Sequence, residues 1–243
     1  MEKLVISKIQ LFISIIFFGG NSIFFIYYLQ ELLFSLNHLK YLTNLSYYAN
    51  SIFLLLCLLC DILLYIKNTS EEEEINYHLI DDKNELSYAN ATWVEKLNNW
   101  NRNKYGVICN TFSFFVSISF WILFFMGEDY IKVSNTFYGF LSTINLHLII
   151  SILVIIDIFI SKREHKFSWD YFRIISLLFL IYCFITGINK YFFNINPYAF
   201  MNGSVIFLIL YVFVSLIILY ACYIFYLCLI NYKENKINVI KDE

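Results

Sequence analysis

Six apolar runs, each long enough to cross a lipid bilayer, constrain this chain of 243 residues more than any other feature. A helix needs about 20 mostly apolar residues to span the hydrocarbon layer. Apolar residues make up 60% of the chain, above the roughly half that is usual in soluble domains, and the alternating segments of an outer-membrane barrel are missing. The sequence predicts an all-α, polytopic membrane protein in which 1–243 form one domain of six transmembrane helices. The predicted spans are 4–29, 42–66, 105–126, 137–161, 171–193 and 203–231.

Lysine and arginine residues predict the orientation of these spans. If the first helix starts in the cytoplasm, the inner segments hold 14 basic residues and the outer segments hold 3. Basic residues are concentrated in cytoplasmic connections of membrane proteins. We therefore predict that both termini are cytoplasmic, which agrees with an even number of spans. The expected location is the endoplasmic reticulum or the plasma membrane, as a multi-pass integral protein.

One inner connection, 67–104, is much longer than the others. It contains the acidic run Glu71-Glu-Glu-Glu74, which is typical of a solvated loop. Further along, Trp93, Leu97 and Trp100 recur at three- and four-residue spacing. This spacing predicts a short helix in the headgroup layer, anchored by its indole rings.

Ionisable side chains inside the spans are candidates for function, because burying them in a bilayer is unfavourable. His147 lies about 22 Å from Lys162, at a rise of 1.5 Å per residue, and so in the outer half of the membrane. Asp157 follows on the same span, and Asp61 lies at a similar inner depth on the second span. The two acids predict an inner polar layer, either as structural contacts between helices or as catalytic groups.

An isolated histidine suits general acid–base work on a nucleophile, or a structural hydrogen bond. A membrane haem would need paired axial histidines and a catalytic metal needs about three ligands, so neither a metal nor another cofactor is expected. Hydroxyl groups predicted near the outer side are the candidate nucleophiles. Thr43 begins the second span, where a threonine also commonly serves as a helix-start hydroxyl. The candidates are Thr43, Ser46, Ser142 and Thr143.

The start of the second span carries a family resemblance. Lys40-Tyr-Leu-Thr43 is followed by an apolar run that closes on Asp61, and Phe120-Trp121 lies near the end of the third span. This arrangement resembles the androgen-induced-gene family of integral membrane hydrolases. In that family a Lys-Phe-Leu-Thr motif precedes an acidic residue at the same spacing, and a Phe-Trp pair follows.

Motifs in the second half of the chain extend the resemblance over about residues 40–230. Asn145-Leu-His147 is similar to the histidine helix of the family, and Asp157 follows at the family's distance. Gly187 and Asn196-Pro197 match the family's glycine and Tyr-Pro connection. The family's Asn-His-Gly-x-His is shortened here, because one histidine and one glycine are missing.

The resemblance implies an activity and a site. The family cleaves fatty acid esters of hydroxy fatty acids with a threonine nucleophile and a histidine, which correspond to Thr43 and His147. Asn44 and Asn145 are candidates for stabilising the oxyanion, or for bridging helices. Membrane lipids and a lipid ester substrate are the expected partners, no nucleic acid is expected, and the oligomeric state stays open.

Two other functions remain open from the residues. One is a non-enzymatic lipid-binding or scaffold protein in which His147 and the two acids only hold helices together. The other is a transporter, although neither broken helices nor repeats are visible. Counting from Lys67, Thr43 lies about 36 Å from the inner edge, which exceeds the depth of His147.

Overall fold

The computed structural model describes residues 7–34, 42–78, 93–126, 143–161, 163, 167–193 and 205–242. All regular structure in these ranges is helical. The segment 79–92 of the predicted acidic loop lies outside the described residues, as do 137–142 at the start of the predicted fourth span and the side chain of Asn145.

Six helices follow one another along the described chain, and three of them contain a π-helical turn. Helix α1 runs as Lys8–Ile13, the π turn Ser14–Phe18 and Gly19–Phe34, and helix α2 is Leu42–His78. Helix α3 runs as Trp93–Trp100, the π turn Asn101–Tyr105 and Gly106–Met126. Helix α4 runs as the π turn Asn145–Ile149 and Ile150–Ile160. Helix α5 is Trp169–Phe193 and helix α6 is Val205–Asp242.

Five of these helices are long and apolar enough to cross a membrane, namely all but α4. The apolar part of α4, His147–Ile160, is shorter. The described residues therefore form the all-helical bundle of a multi-pass membrane protein. Large apolar side chains remain exposed along α5 and α6, including Leu177, Phe184 and Phe213, as expected for helices that face lipid.

The inner connection differs from its predicted form. Helix α2 continues to His78 instead of ending near residue 66, and Trp93–Trp100 runs directly into the third span. Val94 and Asn98 are buried on this first part of α3, and the Lys67 ammonium donates to Glu95 at 3.0 Å. Trp93–Trp100 therefore extends α3 alongside α2 and is not a separate short helix.

Helix α3 lies at the centre of the bundle. Its residues contribute both to an apolar cluster with α4, α5 and α6 and to a second cluster with α1, α2 and α4. Gly106 lets α2 and α3 approach closely, since a Cβ atom there would lie 2.8 Å from the Phe53 ring. Small residues commonly permit such close helix contacts in membranes. Below, the end of the bundle that holds Arg102 is called the arginine end, and the end that holds His147 the histidine end.

Candidate functional site

His147 lies inside the bundle, in the π turn of α4. Its side chain is 8% exposed, and its ring stacks on Phe120 of α3 with centroids 3.6 Å apart. The Ser117 hydroxyl donates to the His147 carbonyl, which fixes this turn against α3. The Nδ1 atom of His147 is buried and makes no hydrogen bond with any residue that the structure describes. The imidazole is thus held by stacking while one nitrogen stays unpaired.

The contacts of α3 give the depth of Thr43 relative to His147. Helices α2 and α3 are antiparallel, and the Asn50 amide donates to the carbonyl of Cys109 at 2.9 Å. Thr43 precedes Asn50 by seven residues on α2, and Val116 follows Cys109 by seven residues on the antiparallel α3. Thr43 is therefore level with Val116, and His147 is level with the next residue, Ser117. The two candidate residues differ in depth by about 1.5 Å, one helical rise.

The mismatch in depth expected from the sequence has a simple origin. Lys67 pairs with Glu95, which precedes Arg102 by seven residues, or about 10 Å. Arg163, beside the end of α4, lies in one cluster with Arg102. Lys67 therefore lies about 10 Å beyond the level of the Arg102–Asp157 pair, and about 6 Å beyond the end of α4. Lys67 thus does not mark the inner level at which α4 ends, and a depth counted from Lys67 is too large for comparison with one counted along α4.

Thr43 also lies on the inward face of α2. Seven residues separate it from Asn50, so the two side chains project within about 20° of each other, and Asn50 is fully buried. Thr43 itself is half-buried. The backbone N–H of Leu42 donates to the Tyr182 hydroxyl of α5 at 3.1 Å, which fixes the start of this helix.

The remaining candidate residues at the histidine end differ in burial, and not all of them are among the described residues. Asn44 and Thr143 are half-buried, and each has an interaction partner. Ser46 is buried one turn below Thr43 and accepts from Asn50. Ser142 lies outside the described residues, as does the Asn145 side chain.

Asp61 and Asp157 share one guanidinium group at the arginine end. Arg102 binds Asp61 through two parallel contacts, Nη1 to Oδ1 at 2.8 Å and Nη2 to Oδ2 at 2.9 Å. It also donates to Oδ1 of Asp157 from Nη2 at 3.1 Å. Both acids are 0% exposed and Arg102 is 2% exposed. Such forked pairing is the strong geometry for arginine and carboxylate.

Further donors complete the cluster. Gln10 and Ser14 of α1 donate to Asp61 at 3.3 and 2.6 Å. Arg163 donates to Oδ2 of Asp157 and to the Tyr226 hydroxyl of α6 at 2.8 Å. Two carboxylates and two guanidinium groups thus balance in charge, and they connect α1, α2, α3, α4 and α6.

Sequence reasoning assigned Arg102 and Arg163 to the inner connections and missed this role. The signal that could have revealed Arg102 is its position on a stripe. Arg102, Gly106, Cys109, Ser113 and Ser117 project from α3 within about 80° of one another, counted at 100° per residue. A polar and small stripe that continues from a connection into a span indicates that the connection is part of the helix.

The arginine-end cluster has the properties of a structural ion cluster that holds helices together. Its polar atoms are paired with each other in the described part of the chain, and the four charged groups are almost fully buried. The catalytic alternative for Asp61 and Asp157 has no support from this geometry, because ten residues, or about 15 Å, separate Asp157 from His147. Among the described residues, no group of three or more His, Cys, Asp or Glu side chains could hold a metal ion.

All three described π turns carry buried polar groups. Ser14 in the turn of α1 contacts Asp61, Arg102 lies in the turn of α3, and His147 lies in the turn of α4. Single π turns inside α-helices are rare and frequently occur at functional sites.

Comparison with protein-family models, curated proteins and solved structures gives no match to this chain.

Proposed function

We propose that this protein is an intramembrane hydrolase of lipid esters, with Thr43 as nucleophile and His147 as base. One observation carries the proposal: the buried His147 has an Nδ1 atom without a hydrogen-bond partner among the described residues, at the depth of a hydroxyl on the inward face of α2. A histidine that only held helices together would use its ring nitrogens in hydrogen bonds. The resemblance to the androgen-induced-gene hydrolases supports the same pair of residues.

The reaction follows ordinary acyl transfer. His147 takes the proton of the Thr43 hydroxyl while the threonine oxygen attacks the ester carbonyl carbon. The bond from this carbon to the alkoxy oxygen breaks, and the leaving alcohol takes the proton from His147. Water then attacks the acyl-threonine ester, and the fatty acid leaves as Thr43 regains its proton. Asn44, and Asn145 by its place in the motif, are proposed to stabilise the oxyanion.

The substrate class follows from location and from the resemblance. Both residues belong to the histidine end of an apolar bundle, and a lipid ester that partitions into the bilayer is the matching class of substrate. Fatty acid esters of hydroxy fatty acids are the proposed substrates, without a cofactor. We place the protein in the endoplasmic reticulum or the plasma membrane, with both termini in the cytoplasm.

Covalent labelling with a fluorophosphonate probe tests the nucleophile. Attack by the threonine oxygen forms an oxygen–phosphorus bond and expels fluoride. We expect the purified wild type to be labelled, and Thr43→Ala and His147→Ala to lose labelling while their thermal unfolding stays cooperative. Thr43→Ser, which keeps a hydroxyl, should retain labelling.

Ser46→Ala is the matched control, because Ser46 is a buried hydroxyl one turn away on the same helix. It should label like the wild type. Labelling that survives Thr43→Ala would place the nucleophile elsewhere. A folded wild type that does not label would favour the alternative, a non-enzymatic lipid-binding or scaffold protein, for which the five-helix ion cluster is the supporting observation.

A further inference from the structure

Polar side chains form a buried column between the middle of the bundle and the histidine end. Here "the polar column" means Asn50 of α2, Asn110 and Ser113 of α3, and Ser151 and His147 of α4. The Ser113 and Ser151 hydroxyls are 2.9 Å apart, which joins α3 to α4 between Asn110 and His147. All five side chains are buried. From Asn110 to the level of His147 the column extends about 10 Å along α3.

The polar column contains polar atoms that make no hydrogen bond with any described residue. Asn110 is 0% exposed, and neither its Oδ1 nor its Nδ2 has a hydrogen-bond partner in the described part of the chain. The same holds for Oδ1 of Asn50 and Nδ1 of His147. The Asn50 amide nitrogen is occupied by the carbonyls of Ser46 and Cys109, so its carbonyl oxygen is the free group.

Unpaired polar atoms are strongly disfavoured at this depth. An amide buried in an apolar medium without hydrogen bonds costs several kcal/mol. The free groups in the polar column include both donors and acceptors, because Asn110 leaves its whole amide unpaired. Water is the small ligand that donates and accepts at once, and buried waters typically make about three such bonds.

The column ends toward the middle of the bundle. There the Phe53 ring lies against Gly106, so close that a Cβ atom would be 2.8 Å from it. This contact separates the column from Asn101 and from the ion cluster at the arginine end. The opposite end of the column is His147 itself.

We infer that the polar column is a binding site for a file of water molecules that ends at His147. At a spacing of about 2.8 Å between oxygens, about four waters span the distance. On the proposed function, on which this role depends, the file supplies the water of the second step. That water adds its oxygen to the acyl carbon of acylated Thr43, the bond to the threonine oxygen breaks, and His147 passes a proton from the water to that oxygen.

Radiolytic hydroxyl-radical footprinting detects such waters, because radicals formed from bound water oxidise the side chains beside them. Two equally buried cysteines give an internal comparison. Cys109, adjacent to Asn110 in the chain and bonded through its carbonyl to Asn50, is 2% exposed. Cys222 is 1% exposed, and both cysteines belong to apolar clusters, but of the two only Cys109 is joined by a hydrogen bond to a residue of the polar column. We expect oxidation several-fold faster at Cys109 than at Cys222 in the intact wild-type protein.

The variant Asn110→Leu removes both unpaired groups at similar volume. It should lower oxidation of Cys109 several-fold, leave Cys222 unchanged, and slow release of the acyl group so that acyl-enzyme accumulates. Equal oxidation of the two cysteines in the wild type would overturn the water site without need of any variant.

The footprinting result does not depend on hydrolysis. Rapid oxidation of Cys109 in a protein that fails to label with fluorophosphonate would retain the water site and reject the proposed function. Rapid deacylation by a folded Asn110→Leu variant whose Cys109 is protected would reject the supply of water by this column.

Discussion

Arg102 is the residue on which the arginine end depends. Its guanidinium contacts both buried acids, and the other donors to Asp61 among the described residues are the neutral side chains of Gln10 and Ser14. Removing one partner of a buried ion pair typically costs about 3–5 kcal/mol, because the other charge is left without compensation. We predict that Arg102→Met lowers the unfolding free energy by about this amount, measured by thermal or denaturant unfolding in detergent.

Arg173 supplies the matched control for this prediction. It pairs with Asp170 at 3.2 Å, but both side chains are more than three-quarters exposed. Exposed pairs contribute little, so Arg173→Met should unfold like the wild type. The double variant Asp61→Leu with Arg102→Met should recover much of the loss, since Arg163 and Asp157 still neutralise each other. An unchanged unfolding transition for Arg102→Met alone would contradict the stabilising role of the arginine-end cluster.

The same residues show which parts of the ion cluster could be predicted from the sequence. A carboxylate in a span is a strong signal, so Asp61 and Asp157 could be singled out, and so could His147. Their partners could not, because Arg102 and Arg163 stand at the ends of apolar runs, where basic residues normally mark the edge of the membrane. Which of them fold inward depends on the packing of α3 against α2, and pairing across 41 or 55 positions of sequence has no local signature.

At the scale of elements, the approach of α2 to α3 depends on Gly106. A Cβ atom there would lie 2.8 Å from the Phe53 ring and 3.1 Å from the Asn101 carbonyl oxygen. The Arg163 guanidinium lies 5.4 Å from the centroid of this ring, which limits the room for the ring to shift, and Phe53 is fully buried. We predict that Gly106→Ala destabilises the bundle by about 1–3 kcal/mol, the usual cost of overpacking.

Gly187→Ala provides the comparison within the same fold. Gly187 is also helical, and no atom of the described residues lies within 4 Å of a Cβ atom built there. Alanine favours helix over glycine by up to about 1 kcal/mol, so this variant should be as stable as the wild type or slightly more stable in the same unfolding assay. If both variants behaved alike, close packing at Gly106 would not be limiting.

The helices themselves were largely predictable, whereas their ends and irregular turns were not. Apolar length alone indicated the spans that became α1, α2, α3, α5 and α6. The extension of α3 back to Trp93 was not predicted, because only half of the residues of Trp93–Trp100 are apolar. The two buried residues of this segment, Val94 and Asn98, lie on one narrow face of the helix. The π turns have no established sequence signal, and they decide where Ser14, Arg102 and His147 point.

For the whole molecule, the number of membrane crossings depends on α4. Its apolar segment His147–Ile160 is shorter than the five candidate spans. The described part of this helix starts at Thr143, however, and the 18 residues from there to Ile160 extend about 27 Å, close to the hydrocarbon thickness of about 30 Å. Ser151 and Asp157 on this helix are buried against other helices, whereas Ile152 and Phe159 are exposed, so one face of α4 packs in the bundle and another is open to lipid.

We therefore predict six crossings, with both ends of the chain on the cytoplasmic side, where 14 of the 17 basic residues are expected. Reporters active on only one side of the membrane, fused before Met1 and after Glu243, should give the same reading. A reporter inserted after Pro197, in the connection predicted to lie outside, should give the opposite one and is the control. Opposite readings at the two ends would mean an odd number of crossings. In that case α4, whose apolar segment is the shortest among the described helices, would enter and leave the bilayer on one side, and His147 would lie at the tip of a re-entrant segment.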